Sequence, residues 1–153
     1  MNALEIKNLT KSYPDFTLDN LNLTLPSGCI MGLVGENGAG KSTTIKLILD
    51  ESHSILISSH IVNDLEKLCD YIAFLHKGKL LLCEEKDLLQ EEYGLVHCSI
   101  DEFQAIPFNS VKYKKENAYG VEAMVLRNAV PSDIHISPIS IEELFVFMVK
   151  EAK

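Results

Sequence analysis

The chain has 153 residues, 46% of them hydrophobic and 24% charged, a size and balance that fit an ordinary globular domain and exclude intrinsic disorder. A net charge of −8, with no block of Lys or Arg to override it, argues against a general nucleic-acid binder. No apolar run approaches the roughly 20 residues that a membrane helix needs, so any membrane role must come through a partner.

In chain order, LEIKNLTKSY (4–13) and LDNLNLTL (18–25) alternate apolar and polar residues around a turn at Pro14 and Asp15. That pattern predicts an antiparallel β-ribbon with one wet face. After a break at Pro26, Ser27 and Gly28, CIMGLVG (29–35) is a continuous apolar run, as a strand buried on both faces requires. Lys41 to Asp50 reads as a helix and SILISS (54–59) as a second buried strand. IVNDLEKLCD (61–70) carries Ile61, Leu65 and Leu68 on one helical stripe. YIAFLHKGKLLLCEE (71–85) reads as two strands around Lys77-Gly78-Lys79, and KDLLQEEYG (86–94) as a short helix stopped by Gly94. Beyond a soft boundary near Gly94, LVHCSI (95–100) and GVEAMVLR (120–127) are expected strands, with a polar loop over Lys112 to Asn117. The tail PISIEELFVFMVK (138–150) predicts a helix with a Ser140/Glu143 capping box and an inner stripe of Ile141, Leu144, Phe145 and Met148.

Between the first buried strand and its helix lies GENGAGKSTT. Gly35-x4-Gly40-Lys41-Ser42 satisfies the phosphate-loop pattern, with a strand before it and a helix after. Gly35, Gly38 and Gly40 let the backbone turn with its N–H groups aimed at an anion, and the helix beginning near Lys41 adds about half a positive charge there. Lys41 is expected to reach the β- and γ-phosphates and Ser42 to offer its hydroxyl to Mg²⁺, with Glu36, Asn37, Ala39 and Thr43 completing the cradle. The bland alternative is a glycine-rich turn, which at about 7% glycine should match this pattern by chance in well under about 1% of such chains. The expected architecture is therefore α/β. Residues 1–94 form a reduced P-loop NTPase core, a short parallel sheet with helices plus the N-terminal ribbon, and residues 95–153 a small α+β extension.

Tyr13 after Lys11-Ser12, the ribbon around it, GENGAGKST, and ILISSH followed by DYIAFLHKGKL together resemble the ATP-binding subunit of an ATP-binding cassette (ABC) transporter. CEEKDLLQEEYG and SIEELFVFMVK resemble the small extra domain of bacterial exporter-type members. The resemblance covers nearly the whole chain. It implies that Tyr13 stacks on adenine, that His60 senses the γ-phosphate from a switch loop, and that ATP and Mg²⁺ are the cofactors. It also implies a transmembrane permease subunit and a second nucleotide-binding subunit as partners, at the cytoplasmic face of the cell membrane. The alternatives are an ordinary aromatic on a ribbon face for Tyr13 and polar surface for His60. His53, His76, His97 and His135 lack such context and are read as solvated or structural. Cys29, Cys69, Cys83 and Cys98 have no CxxC or zinc-like spacing, so reduced thiols are expected. Met1 to Phe16 lacks the apolar core of a signal peptide.

An intact member of the family carries a glutamine loop, a helical subdomain, the LSGGQ signature and a strand ending in Asp-Glu between the phosphate-loop helix and the switch histidine. Here Lys41 and His60 stand nineteen positions apart, with none of these between them. LLLCEE (80–85) mimics an apolar strand ending in paired acids, but it follows His60 in a hairpin arm, and Glu84 and Glu85 are expected to lead into the next helix. A general base typically contributes about 10²–10⁴-fold, and charge-stabilising groups supplied in trans about 10³–10⁵-fold, so hydrolysis by this chain is expected to be very slow. The resemblance also implies that such a deletion trims strands from one sheet edge and leaves YIAFLH, CIMGLVG and SILISS contiguous, with SILISS exposed as an edge. Three readings stay open: a nucleotide-binding module, an ATPase completed by a segment supplied elsewhere, and a non-functional interaction remnant. A different phosphate-loop enzyme, such as a small kinase, leaves Tyr13 and ISSH unexplained.

Overall fold

The structure is a computed structural model that describes residues 1–48, 56–58 and 62–151. The chain separates into two compact units, Met1–Lys86 and Asp87–Lys153. The division falls between Lys86 and Asp87, at the start of the 86–94 segment.

In the first unit, β1 (Asn2–Tyr13) and β2 (Phe16–Pro26) form the antiparallel ribbon, closed by Tyr13 opposite Phe16. A strict two-residue alternation would have put Leu18 on the face opposite Leu21, Leu23 and Leu25, and two asparagines prevent it. Asn8 (φ +53°) and Asn20 (φ +49°) take left-handed conformations, which asparagine tolerates, beside the register shifts of β1. Their backbone N–H groups donate to Asn22 Oδ1 and Thr10 Oγ1, each at 3.0 Å. The slips bring Leu18, Leu21, Leu23 and Leu25 onto one buried face, packed on Met31, Leu33, Ala73 and Leu75.

The second sheet runs in the order β4 (Leu56–Ser58), β3 (Met31–Gly35), β5 (Tyr71–His76), β6 (Lys79–Glu85). β3 is parallel to both of its neighbours, and β6 returns antiparallel to β5 through the Lys77-Gly78 turn. Helix α1 (Lys41–Ile48) links β3 to β4, and α2 (Val62–Leu68) links β4 to β5. The continuous apolar runs end up where such runs belong: Met31 and Leu33, and Ile72 through Leu75, are all fully buried. Asp70 fixes where two strands start, its Oδ2 accepting from Ile30 N–H and its own N–H donating to the Ile30 carbonyl, both at 2.8 Å. The expected stripe of α2 holds at Leu65, which is buried, and fails at Leu68, which is 58% exposed. Ile61 lies outside the described residues. Glu84 and Glu85 are in the β6 arm itself, paired to Ile72 and Tyr71, which places the paired acids away from any catalytic strand end.

The second unit opens with α3 (Lys86–Glu92), which runs straight into β7 (Tyr93–Cys98). Gly94 is therefore no helix stop. It lies inside the strand, where an added Cβ would collide with Ile136. Ser99 and Ile100, expected at the end of the strand, instead cap and begin α4 (Ile100–Gln104) with a Ser99/Glu102 capping box. The expected polar loop is β8 (Val111–Asn117), which pairs with β9 (Gly120–Leu126). With β10 (Ile136–Ser137) these strands form an antiparallel sheet in the order β10, β7, β9, β8. Its core gathers Val96, Ile106, Val121, Ala123, Val125 and Ile134. Helix α5 (Ile141–Glu151) begins at the expected capping box: Glu143 N–H donates to Ser140 Oγ at 3.1 Å and Ser140 N–H to Glu143 Oε2 at 2.9 Å. Its buried residues are Ile141, Leu144 and Phe147, with Phe145 and Met148 only half-buried, because the Phe147 ring stacks on Tyr113 of β8 at 4.7 Å.

Candidate functional site

β3, flanked by parallel strands, delivers the chain at Gly35 to the carboxyl edge of its sheet, where open α/β sheets place their ligands. The loop that follows enters α1 at Lys41. Gly38 (φ +81°) and Gly40 (φ +105°) hold backbone conformations that L side chains rarely adopt. Gly40 meets a second limit, since a Cβ there would stand 2.8 Å from Phe16 Cζ. Gly35 is required for a different reason than turning: its φ is ordinary, and a Cβ would lie 2.8 Å from the Leu75 carbonyl oxygen.

The loop is closed by its own hydrogen bonds. Ala39 N–H donates to the Glu36 carbonyl at 3.1 Å, and Thr44 N–H and Oγ1 both donate to the Gly40 carbonyl, at 2.9 and 2.8 Å. The β5–β6 turn grips it from the other side, with Gly78 N–H donating to the Ala39 carbonyl at 3.0 Å and Asp19 N–H to the Gly78 carbonyl at 2.8 Å. Loop, hairpin turn and ribbon are thereby tied together through backbone atoms alone. Ala39 is buried beneath the loop and packs into the leucine core, so only its backbone belongs to the cradle.

Lys41 is 8% exposed, and its ammonium donates to the carbonyls of Gly35 and, at 3.0 Å, Glu36. Burial pushes its pKa down, and the Glu36 carboxylate partly opposes that. This is a desolvated cation held by backbone carbonyls, with the Glu36 carboxylate acting on it, at the foot of a cleft of about 440 Å³. Tyr13, Phe16, Glu36, Asn37, Gly38, Gly40, Ser42 and Thr43 form the rest of the cleft wall. Tyr13, 47% exposed, stands at the ribbon tip with Phe16 across the turn from it. Phe16 was not singled out in the sequence, although two aromatics bracketing Pro14-Asp15 were the signal available. His60 and Ser59 lie outside the described residues.

Of the two readings of His76, solvated or structural, burial removes the first. Its ring is buried at the end of β5, and Nδ1 stands 2.7 Å from Glu36 Oε1 in the phosphate loop. The contact is close, yet it is not aligned as a hydrogen bond, which leaves Nδ1 buried without a hydrogen-bond partner. Nothing in the pattern YIAFLH distinguishes this residue from any strand-end histidine.

The ABC transporter family model matches residues 18–127, from the second ribbon strand through β9. The chain belongs to the ABC transporter family. Over 92 residues it is 43% identical to the galactose/methyl galactoside import ATP-binding protein MglA of Treponema denticola, covering 55% of this chain and 18% of that protein. Over 47 residues it is 52% identical to the energy-dependent translational throttle protein EttA of Haemophilus influenzae, covering 30% of this chain and 8% of that protein. A probable ABC transporter ATP-binding protein of Cyanophora paradoxa is 55% identical over 49 residues, 31% of this chain and 20% of that protein. The chain thus spans a fifth or less of the length of these curated relatives.

As an ABC ATP-binding domain, the chain presents the fitting half of a nucleotide site. The buried ammonium, the two left-handed glycines and the start of α1 suit a chain of phosphates. For Mg²⁺ the described residues offer the exposed hydroxyl of Ser42, and they contain no cluster of three or more His, Cys, Asp or Glu. No helix among the described residues is long and apolar enough to cross a membrane. The four cysteines are free thiols.

Proposed function

We infer that this ABC ATP-binding domain is an internally shortened one, which holds ATP through residues 35–43 and turns it over slowly or not at all. The observation that carries the reading is a complete phosphate cradle followed, nineteen positions after Lys41, by the ISSH segment, with no glutamine loop, signature or Asp-Glu strand between. Tyr13 stacks on adenine from the ribbon tip, His60 contacts the γ-phosphate, and Ser42 contributes one oxygen to Mg²⁺. Without the Asp the ion loses its carboxylate support, and without the Glu no group polarises the attacking water.

The second unit plays the part of the small extra domain found in exporter-type members. The partners are a transmembrane permease and a second nucleotide-binding subunit, at the inner face of the membrane. The named relatives include a galactose/methyl galactoside import ATP-binding protein and an energy-dependent translational throttle protein, so they point to no one transported substrate. A second reading has one observation in its favour: among the described residues β4 ends its sheet, leaving an edge where a segment supplied by another chain would restore the missing strands.

The test is ATP binding and phosphate release by the purified chain, with Lys41→Ala as control. We expect saturable binding that Lys41→Ala weakens by roughly 10–100-fold, the value of a charge-assisted contact to phosphate, and no release above the control. Lys41-dependent turnover by the chain alone would overturn the shortened, non-hydrolysing reading. A complete lack of ATP binding would leave the interaction remnant.

A further inference from the structure

Glu36 is an awkward residue for a phosphate site. Its carboxylate lines the cleft, acts on the Lys41 ammonium, and would repel an incoming phosphate. The neighbouring His76 is the group that changes this. It is 6% exposed, it enters from a different strand, and its orphaned Nδ1 faces Glu36 Oε1 at 2.7 Å. A buried ring nitrogen with no aligned partner costs stability unless some state of the site uses it.

We propose that His76 is a positioning residue of the phosphate loop, whose protonated imidazole neutralises and holds the Glu36 carboxylate so that the loop accepts phosphate more tightly. The proposal rests on the nucleotide-binding reading above and adds to it a residue outside the loop that sets affinity.

The electrostatics around the pair are simple. From the loop, Glu36 and Lys41 face the site. From β6, Lys79 sits opposite His76 in the strand register, but its ammonium is taken up by Asp19 of β2 at 3.3 Å. Lys77, in the adjoining turn, keeps a left-handed backbone that closes the hairpin. Glu36 is thus the acid within reach of Nδ1 among the described residues. An imidazole carries this compensating charge only when protonated, so the loop should lose it when pH is raised. The Glu36 side chain is 46% exposed, so solvent screens the effect and keeps it modest.

The experiment compares ADP dissociation constants at about pH 6 and about pH 8 for the wild type, His76→Gln, Glu36→Gln and His97→Gln. The ligand's own titration is removed by dividing each variant's pH ratio by that of Glu36→Gln, in which the carboxylate is gone. His97→Gln is the control, because the exposed His97–Glu122 pair at 3.0 Å has the same chemistry and lies in the other unit. We expect the wild type and His97→Gln to bind about threefold more tightly at the lower pH after this correction, and His76→Gln to show no preference. Glu36→Gln should bind at least as tightly as the wild type at the higher pH. Because Glu36 is on the surface, that variant reads the pair even if His76→Gln folds poorly. Lys41-dependent binding in which His76→Gln keeps the wild-type ratio, or in which Glu36→Gln weakens ADP, would overturn the proposal and leave the nucleotide-binding reading intact. An absence of binding in every variant would overturn both.

Discussion

Gly38 and Gly40 sit two positions apart in one loop, share a positive φ, and should still respond differently to the same substitution. Around Gly38 there is open space, so Gly38→Ala meets only the backbone penalty of about 1–2 kcal/mol. Gly40→Ala meets that penalty and the Phe16 ring as well, and should lose more stability in urea denaturation than Gly38→Ala. Adding Phe16→Leu should recover part of the Gly40→Ala loss and none of the Gly38→Ala loss, because only the former contains a clash at 2.8 Å. Equal losses in the two single variants would show that the ring moves aside freely. At this scale the phosphate loop was legible because its residue types are dictated by backbone geometry, which sequence spacing records. Phe16 and His76 were missed because each reaches the loop from a strand remote in sequence: Phe16 opens β2, and the parallel pairing of β3 with β5, Gly35 opposite Leu75, sets His76 beside the loop.

The two capping boxes show what a helix end contributes. Glu102 accepts from the Ser99 backbone N–H at 2.8 Å and from its hydroxyl at 2.9 Å, and these bonds hold its pKa below the reference value of 4.5. A carboxylate depressed on folding adds stability that is present above pH 4.5 and is lost as pH falls below that value through the folded pKa. Glu102→Gln should therefore flatten the acid limb of the stability curve below pH 4.5, and Ser99→Ala should flatten it in part, both read from urea midpoints. An acid limb identical to the wild type in Glu102→Gln would refute this. The Ser140 box was readable ahead of the structure because a strong apolar period follows it. The Ser99 box has only a five-residue helix behind it, too short for a period to register. β8 was hidden for a related reason. It is an edge strand whose Lys114, Lys115 and Glu116 are exposed, and charges of that kind, which protect an edge from mispairing, also make a strand read as a loop. In α5 the period was right and the phase slightly wrong, because the choice between Phe145 and Phe147 is made by Tyr113, a residue of another element.

Across the whole molecule, ligand binding should be felt where the loop's backbone is tied. The phosphate loop belongs to the Met1–Lys86 unit and is held by hydrogen bonds from Gly78 N–H to Ala39 and from Thr44 N–H to Gly40. Any ligand that binds only the folded state stabilises it, by about 2.7 kcal/mol at one hundred times its dissociation constant. With ATP present, hydrogen exchange at the amides of Gly78 and Thr44 should therefore slow, along with that of the β3 and β5 amides whose opening breaks the loop. The amides of β7 and β9, which form the centre of the second unit's sheet, serve as the internal reference. At the same ATP concentration Lys41→Ala should reduce the slowing at Gly78 without changing its exchange in the absence of ATP, since the bond from Gly78 to Ala39 uses backbone atoms only. If ATP instead slows exchange at β7 and β9 while leaving Gly78 and Thr44 untouched, the nucleotide binds somewhere other than this loop, and the cradle is a relic of the fold without a ligand.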